Sequence, residues 1–143
     1  MDSEYSSTLE RVNYSRWTNR ARNAKHEISR AFLTYAFILK EIRDNAYFEY
    51  QFSNSRKYCG VELEIDWRTA YDYIKIADFV EDNKKYLKLE QAELLGHKKL
   101  KLLSQKLSRV EEKYRKAILK NINEKESFIK IKEKIEVSLK GIS

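Results

Sequence analysis

The chain contains no proline and only three glycines in 143 residues. Proline breaks a helix by removing a donor and crowding the preceding turn, and glycine weakens it through backbone freedom. Ordinary usage of about 5% and 7% would supply roughly seven prolines and ten glycines. A chain this poor in breakers is expected to be all-α, about six helices in one domain, and its 42% hydrophobic residues suffice for a core. A single cysteine, Cys59, forms no internal disulfide, and the two histidines, His26 and His97, cannot complete a zinc site. No uncharged stretch approaches the ~20 apolar residues of a membrane span, and Met1 to Glu10 lacks the layout of a signal peptide. The expectation is a cytoplasmic protein without metal or cofactor and without a membrane partner.

Apolar spacing predicts where the helices lie. Trp17, Ala21, Ala24, Ile28, Ala31, Tyr35, Ile38 and Ile42 alternate steps of four and three, predicting a helix from about Thr18 to Arg43 with that stripe buried. Residues 1–17 are then an arm, flexible or a frayed extension, and Ser7 with Glu10 is a capping box that favours the extension. A second helix is expected over Ser55–Glu64, with Ser53, Asn54 and Ser55 as alternative N-caps, and a third over Trp67–Asp82 with Asp66 accepting its first amides. A fourth runs from Leu87 to Leu95, ended by a left-handed Gly96. The series Leu100, Leu103, Leu107, Val110, Tyr114 and Ala117 predicts a fifth from His97 to about Asn121. Asn123 and Glu126 form a capping box for a sixth, carrying Phe128, Ile131, Ile135, Leu139 and Ile142; alternation of Ile129, Ile131, Ile135, Val137 and Leu139 keeps a strand open there. The core domain is read as 18–107, with basic helices over 108–143 that pack on it or mediate dimerisation.

The segment from Arg56 to Lys75, RKYCGVELEIDWRTAYDYIK, is the most informative. Two short helices crossing steeply need a small residue at closest approach, apolar residues ending the first helix and filling the turn, and two or three on the inner side of the second. Gly60, Leu63, Ile65, Ala70, Tyr73 and Ile74 fall at those places. The stretch resembles the helix-turn-helix of bacterial DNA-binding proteins. Within that class, EIDWRTAYDYIKIA is similar to the recognition helix of plasmid partition and replication-associated proteins of the ParB type. The likeness runs from about Ile28 to Leu103 and includes LLGHKKLKLLS, which resembles the short helix following the motif in such proteins. The Lys-, Ile- and Tyr-rich composition is similar to that of plasmid proteins of spirochaetes. Glu64 departs from the pattern, standing where glycine is usual in the turn.

That resemblance implies sequence-specific binding of double-stranded DNA, as a homodimer, in partition, replication control or transcriptional regulation, with a partition-type ATPase as a further partner. It sends the third helix into the major groove with Trp67, Arg68, Thr69, Tyr71, Asp72 and Lys75 facing the bases. Arg68 suits bidentate contact with guanine. Trp67 either wedges against the DNA or packs beneath the loop Tyr47–Phe52, and Asp72 either accepts from cytosine or pairs with Arg68. Ser55, Arg56 and Lys57 opening the second helix, and Lys98, Lys99 and Lys101 opening the fifth, are the expected phosphate contacts.

Charge is unevenly spread. Residues 1–30 carry six basic and four acidic side chains, residues 31–96 nine and twelve, and residues 97–143 fourteen and six. The basic tail favours a polyanion, or is a solvated Lys/Glu face. The acidic middle favours a different reading, a non-catalytic adaptor that holds a protein partner through Trp67, Tyr71 and the Tyr47–Phe52 loop. No phosphate loop, dinucleotide fingerprint or His-Glu-x-x-His pair points to an enzyme, and no stacking platform points to RNA.

Overall fold

The computed structural model describes residues 2–142, and all regular structure among them is helical. A very long α1 spans Asp2–Asp44 and is followed by a 3-10 turn over Tyr47–Tyr50. Then come α2 (Ser55–Val61), α3 (Trp67–Asp82), α4 (Leu89–Leu95), α5 (His97–Leu107), α6 (Glu112–Lys120) and α7 (Phe128–Lys140). There are seven α-helices among the described residues rather than six, because the stretch expected as one helix from His97 divides at Ser108–Glu111. Its sequence gives the reason. The Ser108 hydroxyl donates back to the Ser104 carbonyl, a local bond that competes with helix continuation, and Glu111 and Glu112 place negative charge at the start of a new helix.

The third helix is the hub. Its stripe of Ala70, Ile74 and Ala77 faces α1 and α2, and Ile76, Phe79 and Val80 face the remaining bundle. Two apolar clusters result. The larger joins Leu33 to Ile76, Phe79, Leu87, Leu100, Leu103, Leu107, Leu119, Ile131 and Ile135, and the smaller joins Leu39, Cys59, Ala70 and Ile74 beneath Tyr35, Tyr58, Leu63, Ile65 and Trp67. Each fully buried Ile, Leu or Phe contributes roughly 1.5–3 kcal/mol, so both faces of α3 are strongly held.

The buried face of α1 differs from the expected stripe. Ser29, Leu33, Ala36 and Leu39 are buried, whereas Trp17, Ile28 and Ile38 are exposed. The helix also starts at Asp2 rather than Thr18, so Ser7 lies mid-helix instead of capping an end. The short helix α2 ends at Val61, three residues early, and α4 begins at Leu89. The last segment is helix and not strand, capped by Ser127, whose hydroxyl accepts from the Lys130 amide at 3.2 Å. The Asn123–Glu126 pair instead closes the preceding turn: Glu126 accepts from the Asn123 amide at 2.8 Å, and Asn123 accepts from Lys125 at 2.9 Å.

Candidate nucleic-acid interface

The α2–turn–α3 unit is assembled from different parts than the sequence suggested. Asn54 is the cap of α2, its Oδ1 accepting from the Lys57 amide at 2.8 Å. The small residue at the crossing is not Gly60. A Cβ added there would meet nothing within 4 Å, and the glycine is exposed. Cys59 takes the inward position, 3% exposed against Ala70, Ile74 and Leu39, and burial pushes its thiol above the ordinary range. Glu64 holds the turn at φ 51°, the left-handed conformation that a glycine would adopt freely. The Ile65 amide closes the unit onto the Cys59 carbonyl at 3.0 Å. Asp66 occupies the N-cap position of α3 with extended backbone, yet its side chain accepts no capping bond.

The outer face of α3 changes character along its length. Arg68 and Tyr71 are exposed in its first half and Lys75 at the midpoint, with the Lys75 ammonium 4.5 Å from the Tyr71 ring centroid. Among the described residues Arg68 makes no ion pair or side-chain hydrogen bond. Asp78, Glu81 and Asp82 follow Lys75, so the charges run from basic to acidic along the outer face, with half-buried Asp72 between Arg68 and Lys75 paired to Lys101. Arg43 reaches across from the end of α1 and donates two bonds to Asp78, at 2.9 and 2.8 Å, while also bonding Asp44. These carboxylates raise the Arg43 pKa still further. The clamp neutralises one of the three carboxylates and fixes α3 against α1.

The other residues expected to face bases are arranged differently. Trp67 is half-buried on the smaller cluster, its ring tilted on Tyr71 at 6.0 Å, and Thr69 is also half-buried. Asp72 points toward α5, where Lys101 approaches to 3.5 Å. The lysines opening α5 therefore do not act together: Lys98 is exposed, Lys101 is engaged with Asp72, and Lys99 donates to the Glu124 carbonyl at 3.0 Å on another side. Burial and the neighbouring Lys25 depress the Lys99 pKa. Ser55 is half-buried, and Arg56 and Lys57 are exposed beside α3.

Two positions that sequence reasoning missed hold this face in place. Asn83, 2% exposed, donates to the Phe79 carbonyl at 2.7 Å and accepts from Arg115 Nε at 2.6 Å. The same guanidinium donates to the Val110 carbonyl at 2.7 Å. A pattern of polar residues without apolar period gives no signal for such a contact, since its partners lie 32 residues apart. His97 packs against Phe32 and Tyr73, with ring centroids at 4.5 and 5.4 Å, joining α1, α3 and α5.

Comparison with known proteins found no matching family model, no similar curated protein and no similar solved structure. Among the described residues no group of three or more His, Cys, Asp or Glu is placed to hold a metal, and no helix is long and apolar enough to cross a membrane.

Proposed function

We propose that the chain binds double-stranded DNA sequence-specifically through a helix-turn-helix formed by α2 and α3, in the manner of plasmid partition, replication-control or transcriptional regulatory proteins. The supporting observation is the polarity of α3. Helix-turn-helix recognition helices place their N-terminal residues against base edges; Arg68 and Tyr71 stand exposed in that half and Lys75 just beyond it, with no ion pair or hydrogen bond to another element among the described residues. Arg68 offers a bidentate fork to guanine O6 and N7, and Tyr71 with Lys75 offers a hydroxyl and a cation to the next base or phosphate. Arg56 and Lys57 flank them as phosphate contacts. Asp72 serves a structural role in this reading, since its pairing with Lys101 draws it from the groove, and Trp67 supports the helix from its inner side.

A second reading, an adaptor that binds a protein partner, is favoured by one feature, the exposed Tyr47 and Tyr50 beside α2. Binding measurements on duplex DNA separate the two. With Arg68→Ala, discrimination at one base pair falls by roughly 1–3 kcal/mol, the worth of a bidentate Arg–guanine contact, while salt-dependent binding persists. Tyr50→Ala leaves DNA binding unchanged in the first reading. If Arg68→Ala binds every duplex as the parent does, the surface is not a reading head.

A further inference from the structure

From Glu4 to Lys25 every side chain of α1 is exposed except half-buried Thr18. Most helical stability in proteins comes from packing an amphipathic face, and this exposed stretch carries a continuous apolar seam. Tyr14, Trp17, Ala21, Ala24, Ile28 and Ala31 step by three and four, the a/d rhythm of a coiled coil, and all six are exposed, Trp17 at 60% and Ile28 at 70%. The seam has definite ends. Continuing the rhythm upstream reaches Glu10 and Ser7, which are polar, and downstream reaches Tyr35, which is drawn onto the smaller apolar cluster. Tyr5, Leu9 and Val12 lie on another face of the helix and do not extend it.

We infer that the occupant of this seam is a second copy of the chain, paired with it antiparallel about a two-fold axis between Arg22 and Asn23. In that register Ala21 faces the partner's Ala24, Trp17 faces the partner's Ile28, and Tyr14 faces the partner's Ala31. The two ends of the seam coincide, and the central alanine layers permit close approach of the helices. Charge selects the direction. Antiparallel pairing sets Arg20 beside the partner's Glu27 on the flank of the seam, twice by symmetry. Parallel pairing sets Arg20 beside the partner's Lys25, a like-charge contact that is also repeated twice. Among the described residues Glu27 has only a long contact of 3.5 Å to Arg30 within its own chain, which leaves it available to a partner.

Sedimentation of the full chain tests the proposal. The parent is expected to be a dimer, and Ile28→Glu, which buries an unpaired charge in the seam, is expected to weaken it by roughly tenfold or more, with the circular dichroism of the helical body retained. Arg20→Glu weakens the antiparallel dimer and would strengthen a parallel one; Arg20→Glu with Glu27→Arg restores it. Direction is read by oxidation. Ala21→Cys mixed with Ala24→Cys forms a disulfide between the two variants, and Ala21→Cys alone does not link to itself; Cys59 is buried and does not interfere. A monomeric parent, as expected if the seam takes a segment of another protein, overturns the inference. So does a dimer that is indifferent to Ile28→Glu, or self-linking of Ala21→Cys.

Discussion

Arg68 and Glu64, four residues apart, divide the labour of the turn and the face beyond it. In the proposed reading Arg68 carries specificity, because among the described residues it makes no ion pair or side-chain hydrogen bond. Glu64 carries strain, since a left-handed residue with a Cβ is held there by the Cys59–Ile65 backbone bond and the packing of Leu63 and Ile65. Glycine occupies that conformation without the steric cost, so Glu64→Gly is expected to raise stability by about 1 kcal/mol, part of the relief being offset by unfolded-state entropy. Denaturant unfolding checks it, and a loss of stability would mean that the carboxylate itself has a function in the turn.

At the scale of elements, the helix that was most legible in the sequence is also the one most buried. Trp67–Asp82 has its expected ends because inner positions on both sides are apolar and its N-terminus follows a turn. By contrast, the stripe expected to bury α1 lies beside the true core face, because a long helix presenting two apolar stripes gives no local signal for which one meets the body. Gly60 misled for a related reason: smallness marks a close crossing only when the residue points inward, and Cys59 does so instead. The junctions were illegible because they depend on single long-range polar bonds. Arg115→Ala is expected to cost roughly 1–3 kcal/mol, because it leaves the buried Asn83 oxygen without its donor. Thermal unfolding measures it, and a neutral effect would show that Arg115 does not tie α6 to α3. A second junction is pH-dependent. Burial, then the nearby Lys101, depress the His97 pKa below its ordinary 6.5, with Asp72 opposing them. The unfolded chain therefore takes up the proton first as pH falls, so His97 contributes stability that is complete above that value and is lost from about pH 6.5 down through its folded pKa. His97→Gln flattens stability over that window; an unchanged slope would assign it to other groups.

At the scale of the whole molecule, the proposed reading head at α2–α3 and the proposed pairing of α1 would set two such heads on either side of a two-fold axis. The α2–α3 unit packs on Tyr35 and Leu39 of α1, and a rise of 1.5 Å per residue puts those positions about 19–25 Å from the proposed two-fold axis, so paired heads would stand roughly 40–50 Å apart along it. If the chain binds DNA as proposed, the basic tail through α6 and α7 is expected to add sequence-independent affinity that falls steeply with salt. The decisive measurement is selection of bound duplexes from a random pool at one fixed salt concentration, run in parallel with the parent and Arg68→Ala. The parent is expected to enrich one defined motif, and Arg68→Ala to lose preference at a guanine within it. Failure of the parent to enrich any motif, or enrichment identical in both proteins, would contradict the assignment of α3 as a DNA-reading helix.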